Sequence, residues 1–555
     1  MWYFCLIVVS TVILNLGLFG LGRWIRKDDP PAAAALRGWT LFLLICATAW
    51  FFKFSAVYLA PALWLLLAAG GIVAFKTLPR TALMVTALGS AVVAALLAFP
   101  FLRYPHLLAY AYSGTDQWGY IRVAKWLLHH SVDELPIIDN KPGLDWVWFV
   151  LTVKDRPLVY MGLAAISATF GYGTFVAYYV FPAALISALF LSFYLADLPV
   201  VFPCRGLKAL VGLGLAAQPI LLLHLQYQFM GGTIAGLVFM LLIAALFQVQ
   251  AWQAGDPLFF AFAALLSVIL AGLYTVKIAG LSLAILGGIF GFCLLRQIRN
   301  KGWFLNLLRL QPANLWLAFM ILLVPLCFYR IRVLAPEPLG VLPSHGQTGH
   351  VWAQFGSIFG ITNVTPWYQP DGTAGWANPV QHHPPGSLLG VLLLGVLLAF
   401  FAYQCWRWLR HHHDITPTVV FCAILMVGYL AAPPRGNHWT VSRSLPVYGG
   451  ALLIATASTA LRKQRPWAGW FAIGLACLPL VRAAPSLWPY YVTPVNLMVD
   501  GVWNQPPEGN IWGCLAYAYF YEDTREIDWS VAPECFQAMT HYMPENLRPK
   551  MKRGP

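Results

Sequence analysis

The chain has 555 residues, of which 59% are hydrophobic and only 10% are charged, and its mean hydropathy is +0.67. A soluble domain carries about 25% charged residues, so this composition excludes an ordinary soluble protein and predicts a polytopic membrane protein. The formal net charge of +14 does not indicate a nucleic-acid partner, because Lys and Arg lie in short clusters between apolar runs, as cytoplasmic membrane anchors do.

Apolar runs follow one another along most of the sequence. A membrane-spanning helix needs about 20 consecutive apolar residues, and by this measure the chain contains about 14 spans. We therefore predict an all-α polytopic membrane protein embedded in a lipid bilayer. The predicted spans are 2–22, 38–53, 55–75, 82–101, 174–197, 207–225, 231–250, 257–274, 277–296, 314–331, 387–408, 415–433, 444–461 and 466–484.

Three long polar segments interrupt the apolar runs and divide the chain into regions. The first of them, 102–173, is predicted to be an outward loop inserted into the core. The predicted regions are 1–80 (N-terminal helices), 81–331 (a transmembrane core with the loop 102–173), 332–386 (a second outward loop), 387–484 (C-terminal helices) and 485–555 (a small outward cap).

Basic residues cluster in the short connections between spans. With about 14 spans these clusters all lie on one side, which the positive-inside rule identifies as the cytoplasm. The long polar segments then share the other side of the membrane, outside the cytoplasm. The first run lacks a basic leader and a small-residue cleavage site, so we interpret it as a retained span. The clusters are Arg23, Arg26, Lys27 and Arg37; Lys76 and Arg80; Arg205 and Lys208; Arg296, Arg299 and Lys301; Arg407 and Arg410; and Arg462, Lys463 and Arg465.

Cysteine usage agrees with this orientation. Eight of the ten cysteines lie in or beside predicted spans, where cysteine acts as a small apolar residue. The other two, Cys514 and Cys535, lie in the polar C-terminal segment and can form a disulfide if that segment faces an oxidising compartment; the alternative is a pair of free thiols. No Cys or His spacing indicates a metal site. We therefore predict no cofactor, although a divalent metal ion stays open.

The first outward loop combines an early acid, a helix and a basic segment. Asp116 lies in Ser113-Gly114-Thr115-Asp116-Gln117-Trp118-Gly119-Tyr120, before a predicted helix at 121–130. Several carboxylates follow, and then Arg156-Pro157-Leu158 leads towards the next span. Acids and bases held just outside a bilayer, next to an apolar body, indicate chemistry on a lipid-borne substrate.

This order of motifs resembles the C-type (GT-C) integral-membrane glycosyltransferases, whose relatives include the protein O-mannosyltransferases and the lipid A aminoarabinose transferases. The resemblance continues through His224-Leu225-Gln226-Tyr227-Gln228-Phe229-Met230 and through Gly272-Leu273-Tyr274-Thr275-Val276-Lys277, and it covers about 82–300. It implies a polyprenyl-phosphate sugar as donor and a glycan, lipid or protein of the cell envelope as acceptor. It also implies a place in the bacterial inner membrane, with the active site facing the periplasm. The family's first loop often carries adjacent acids, whereas here Asp116 is followed by Gln117.

Sugar transfer from a phosphate-linked lipid needs a base for the acceptor hydroxyl. Asp116 is our choice, because it is the first acid after a span and precedes a helix; partial desolvation raises the pKa of such a carboxylate towards the working range. The alternative role is a helix N-cap, which Asp favours, and one residue can do both. Further candidates for substrate binding are Asp133, Glu134, Asp139, Arg156, His345, His382 and His383.

The departing lipid phosphate needs cations near it. Lys277 is the best candidate, because an ammonium group in an apolar hairpin is costly and usually has a function or a partner. The alternative is a lysine that extends to the membrane surface. Arg435, Arg443 and Arg103 border outward ends of predicted spans and are further candidates for the donor phosphate.

Two other function classes fit parts of this sequence. An O-antigen ligase or polymerase also acts on polyprenyl-linked glycans, and the outward His and Arg residues keep that interpretation open. A secondary transporter or lipid flippase has a similar number of spans, but it typically has charges within spans and two halves of similar pattern. The predicted spans here are nearly free of charge, which favours the glycosyltransferase.

Overall fold

The computed structural model describes residues 2–103, 107–111, 117–136, 144–153, 156–196, 204–217 and 230–249, with short pieces at 265–266, 269, 272–273, 367–368, 374–375, 399, 474, 496–499 and 502–503. The helices are α1 (Trp2–Ile25), α2 (Pro31–Phe51), a 3₁₀ helix (Ala56–Leu59), α3 (Ala60–Thr77), α4 (Arg80–Ala98), α5 (Pro100–Arg103), α6 (Gln117–His129), α7 (Leu144–Val153), α8 (Pro157–Phe170), α9 (Thr174–Leu195), α10 (Arg205–Ala217) and α11 (Met230–Val249). The strands are β1 (Leu107–Ala111), β2 (Trp367–Tyr368), β3 (Ala374–Gly375), β4 (Asn496–Val499) and β5 (Val502–Trp503).

The described part of the chain is a helical bundle with several helices able to cross a membrane. By length and composition five of them qualify, namely α1, α2, the 3₁₀ helix joined to α3, α4 and α9. The prediction of a helical membrane protein is confirmed at this level. The predicted spans from 257 onwards lie outside the described helices, so their number stays a prediction.

Helix α9 lies at the centre of the bundle. Every residue from Thr174 to Tyr194 is buried, as expected of a helix that is apolar on all sides. Helices α1, α2, α4, α6, α8, α10 and α11 all pack against it. The N-terminal helices α1 to α3 therefore belong to the same packed body as the predicted core.

Close backbone contacts join α1 to its two neighbours. A Cβ atom on Gly20 would lie 1.8 Å from the carbonyl oxygen of Gly70 in α3, and one on Gly38 in α2 would lie 1.9 Å from the carbonyl oxygen of Leu18 in α1. Helices in a bilayer gain most of their association from such close packing, since lipid removes the hydrophobic driving force. Only glycine leaves room for these approaches.

We expect Gly38→Val to lose most of its folded protein, because the new side chain meets backbone that cannot move aside; overpacking costs about 1–3 kcal/mol and more where backbone clashes. Gly71→Val is the matched control, since a Cβ there meets nothing within 4 Å. Size-exclusion chromatography of both variants in detergent measures the effect. Equal monodisperse yield of the two would contradict the described α1–α2 packing.

One end of the bundle, called here the loop end, gathers the polar connections. Lys53, in the turn after α2, forms an ion pair with Asp133, which follows α6. The hydroxyl of Thr174, the first residue of α9, donates to the carbonyl oxygen of Ile121 in α6 at 3.1 Å. These contacts hold the end of α2, the start of α9 and helix α6 at the same end of the bundle.

At the opposite end, a glutamine of α11 forms hydrogen bonds to two other helices. The side-chain oxygen of Gln248 in α11 accepts from the backbone N–H of Ala32 in α2 at 2.9 Å, and its nitrogen donates to the carbonyl oxygen of Ser192 in α9 at 3.0 Å. The ammonium group of Lys208 in α10 donates to the carbonyl oxygen of Ala196 at 2.8 Å. Helices α2, α9, α10 and α11 thus share this end.

The start of α2 differs from its prediction. The helix begins at Pro31 rather than at 38, so Arg37 lies inside it and is fully buried; the prediction that places Arg37 in a connection is wrong. Its charge forms an ion pair with the buried carboxylate of Asp29, which also lies 3.4 Å from Arg26. A helix continues through a charged residue when a counter-charge is buried beside it.

The segment predicted as the first outward loop contains more helix than expected. Besides α6, it forms α7 and the apolar helix α8, whose residues are almost all buried against α2, α6 and α9. The prediction missed α8 because its 14 residues fall short of the length of about 20 that a span needs.

Short strands link distant parts of the sequence. Strand β1 pairs antiparallel with β4, with Leu107 opposite Val499 and Ala111 opposite Asn496, and β5 extends this sheet. Strands β2 and β3 form a second antiparallel pair. The β1–β4 pairing joins the segment after α5 to the C-terminal segment by backbone hydrogen bonds.

Candidate functional site

Four of the predicted site residues lie in the described part of the chain. Arg103 ends α5, Asp133 and Glu134 follow α6, and Arg156 precedes α8. The other predicted site residues lie outside the described residues: Asp116, Asp139, Lys277, His345, His382, His383, Arg435, Arg443, Cys514 and Cys535.

Arg156 is held in an unusual backbone conformation. It has φ 43° and ψ 48°, a left-handed region that costs a residue other than glycine free energy. Pro157 follows as the first residue of α8, where its fixed φ suits a helix start. The half-buried guanidinium donates from Nη1 to the hydroxyl oxygen of Tyr120 and lies 5.9 Å from the centre of that ring. Surrounding contacts therefore stabilise a strained position.

Tyr120 joins three helices at its hydroxyl group. Its ring is buried in α6 and stacks on Tyr160 of α8, with ring centres 5.3 Å apart. The backbone N–H of Gly231, in the first turn of α11, donates to the same hydroxyl oxygen at 3.4 Å. We call Tyr120, Arg156, Tyr160 and Gly231 the tyrosine–arginine cluster.

The start of α11 lies close to Arg156, and the segment near 272 lies close to Leu158, two residues further along the chain. A Cβ atom on Gly231 would lie 2.8 Å from Cδ of Arg156 and 3.0 Å from the carbonyl oxygen of Leu273. A Cβ atom on Gly272 would lie 2.7 Å from a methyl carbon of Leu158. Segments separated by more than 100 residues in sequence therefore meet around the tyrosine–arginine cluster.

The residue after Asp116 has a clear structural role. Gln117 is the first residue of α6, and its buried side-chain nitrogen donates to the hydroxyl oxygen of Tyr179 in α9 at 2.9 Å. This contact anchors the start of α6 to the central helix. A second acid at this position would bring a negative charge into the bundle, so the amide suits the site better.

Two buried side chains of α6 have no role that the sequence alone indicates. Tyr120 belongs to the motif around Asp116, but its hydroxyl contacts with Arg156 and Gly231 exist only in the folded chain. Arg122 is the second of them, and its side chain is only 3% exposed. The sequence feature that marks Arg122 is a basic residue among apolar residues of a helix, since Arg is rarely buried without a role.

Asp133 and Glu134 form polar contacts at the surface. Asp133 pairs with Lys53, and both side chains are more than half exposed. Glu134 lies 2.9 Å from Nδ1 of His130; this contact and hydrogen bonds from Ser131 lower the pKa of the Glu134 carboxyl below its ordinary value. Arg103 is exposed at the end of α5. A lowered pKa makes a weaker base.

Among the described residues, no three His, Cys, Asp or Glu side chains come close enough together to hold a metal ion. No protein-family model matches the chain, and neither curated proteins nor solved structures gave a significant match.

Proposed function

We propose that the protein is an integral-membrane glycosyltransferase that moves a sugar from a polyprenyl-phosphate donor to an envelope glycan, lipid or protein. The observation that supports this most is the meeting of four segments at the loop end of the bundle. The start of α6, the Arg156 segment, the start of α11 and Gly272-Leu273 contact one another around the tyrosine–arginine cluster. These segments contain or directly follow the motifs on which the resemblance to GT-C enzymes rests.

The chemistry assigns a role to each part of this site. The acceptor hydroxyl loses its proton to the carboxylate of Asp116 while its oxygen forms a bond to the anomeric carbon of the sugar. The bond from that carbon to the lipid phosphate breaks, and the phosphate oxygen keeps the electron pair. Arg156 and Lys277 stabilise the negative charge that forms there, with Arg435, Arg443 and Arg103 as further candidates.

Asp116 and Lys277 lie close in the sequence to residues of this site. Asp116 immediately precedes Gln117, which is anchored to Tyr179, and Lys277 follows Leu273 by four residues. A base and a phosphate ligand carried by these two segments suit a donor whose sugar and phosphate lie side by side. The half-buried charge of Arg156 supports an anionic ligand, because burial strengthens attraction between opposite charges.

The proposed orientation puts the loop end in the periplasm. The β1–β4 pairing supports a common side for the segments 102–173 and 485–555. The opposite end carries Arg26, Lys27 and Lys208, as the positive-inside rule expects of a cytoplasmic end.

We expect Gly372→Cys, in the segment 332–386, to react with an impermeant thiol reagent in intact spheroplasts. Lys27→Cys is the matched control, because Lys27 is exposed at the opposite end of the bundle, and it should react only after permeabilisation. Both changes belong in a chain whose native cysteines are replaced. The reverse pattern would overturn the orientation.

We expect Lys277→Met to weaken binding of polyprenyl phosphate by about 10- to 150-fold, which corresponds to about 1.5–3 kcal/mol for one charge-assisted contact. Met keeps the apolar stem of the side chain and removes the charge, so a lysine that only extends to the membrane surface should tolerate it. Native mass spectrometry of the purified protein with undecaprenyl phosphate measures the affinity. Unchanged affinity would leave Arg435 and Arg443 as the next residues to test.

A further inference from the structure

Two polar side chains of α1 are buried inside the bundle. Thr11 is 0% exposed and Asn15 is 1% exposed. In the part of the chain that the structure describes, neither the hydroxyl of Thr11 nor either polar atom of the Asn15 amide has a hydrogen-bond partner. Buried polar groups in proteins nearly always have a partner, which is protein or ordered water. These three atoms therefore require an explanation.

Thr11 differs from several other threonines inside the described helices. Thr40, Thr48, Thr86 and Thr169 each donate to the carbonyl oxygen four residues earlier, at 2.6–2.8 Å. This bond satisfies a hydroxyl group without any other partner. Thr11 lacks that bond, so its hydroxyl group is directed elsewhere.

Thr11 and Asn15 lie on the face of α1 that packs against α2. Leu18 and Gly22, spaced seven and eleven residues after Thr11, contact Gly38 and Ala34 of α2. Residues at these spacings share one helix face. The polar pair is therefore one to two turns from a region of direct backbone contact between the two helices, and lipid does not reach it.

We infer that Thr11 and Asn15 bind a buried water molecule at the α1–α2 interface. Side chains four residues apart on a helix have Cβ atoms about 5–6 Å apart, and one water bridges such a distance with two hydrogen bonds of about 2.8 Å. A buried water typically makes about three hydrogen bonds, which matches the three polar atoms present. Both side chains are neutral and carry no charge for an ion, so water is the ligand that fits.

The test compares thermal unfolding of Thr11→Val, Asn15→Leu and the double variant in detergent. Each single change leaves the water short of partners and the remaining polar group unsatisfied, so each midpoint should fall by about 2 °C or more. The double variant should fall by less than the sum of the two, because it removes the whole polar site. Two control variants should stay near the wild-type midpoint. Thr11→Ser keeps the hydroxyl group, and Thr40→Val removes a hydroxyl group whose hydrogen bond lies within its own helix.

Removing polar groups from a dry apolar interface should instead stabilise the protein. A raised midpoint in Thr11→Val and Asn15→Leu, or strictly additive effects in the double variant, would overturn the water site. If Asn15→Leu fails to fold, the comparison of Thr11→Val with Thr11→Ser is sufficient. Equal unfolding midpoints contradict the proposal, and a lower midpoint for Thr11→Val supports it.

Discussion

Replacement of Asp116 by Asn is expected to lower the turnover of sugar transfer by about two to four orders of magnitude. The amide keeps the shape of the side chain and most of its ability to cap the following helix, but it cannot accept the proton of the acceptor hydroxyl. The amount of folded protein should change little, because Gln117 still anchors the start of α6 to Tyr179. Turnover of the purified variant with a polyprenyl-phosphate sugar measures the effect.

Glu134→Gln is the matched control for this change. Glu134 lies in the same loop, but it is exposed and pairs with His130, so its loss should leave turnover within about twofold, as expected of a surface ion pair. Near-normal turnover in Asp116→Asn would return Asp116 to the role of a helix cap. The search for the base would then move to Asp133 and Asp139, and to Glu134 only if Glu134→Gln also lowers turnover.

Arg156→Met is expected to lower kcat/KM for the lipid donor by about 10- to 150-fold, since a charge-assisted contact to phosphate contributes about 1.5–3 kcal/mol. The guanidinium donates to the hydroxyl oxygen of Tyr120, and Cδ of the same side chain lies beside Gly231 at the start of α11. Its charge is therefore fixed where the segments meet, and Met removes that charge while it keeps the apolar part of the side chain. Steady-state kinetics with the donor varied measures the effect.

Tyr120→Phe tests whether the position of the Arg156 guanidinium matters as well as its charge. Phe keeps the ring that stacks on Tyr160 but removes the oxygen that accepts from Arg156 and Gly231. We expect a smaller loss of kcat/KM than in Arg156→Met, because the charge stays near the site. If Arg156→Met lowers only the unfolding temperature and leaves the kinetics of the folded protein unchanged, Arg156 is a structural residue and not a phosphate ligand.

Composition and periodicity were sufficient to predict the long helices. Helix α9 runs from Thr174 to Leu195 against a predicted span of 174–197, and α11 runs from Met230 to Val249 against 231–250. Runs of apolar residues of this length have few alternatives to a helix in a bilayer. Helix α8 and the start of α2 were not predicted, because a short buried helix and a buried Arg37–Asp29 pair both depend on tertiary packing.

The contacts of the site could not be read from the sequence for a related reason. Tyr120 meets Arg156 across 36 residues and Gly231 across 111, and Gln117 meets Tyr179 across 62. No local pattern encodes these pairs, whereas the presence of Arg156 near a helix start was visible in the Arg-Pro-Leu motif. The sequence therefore indicated which segments carry polar function, and the fold determined which of their side chains touch.

The central claim is that the protein transfers sugar from a lipid phosphate to the cell envelope. Mass spectrometry of envelope glycans tests it most directly, in cells that lack the protein and in cells that carry either the wild type or Asp116→Asn. We predict that one glycan, glycolipid or glycoprotein species loses a single sugar in the deletion strain, regains it with the wild type and does not regain it with Asp116→Asn. Identical envelope glycans in all three strains, with the protein present in the membrane of the complemented strains, would contradict the claim.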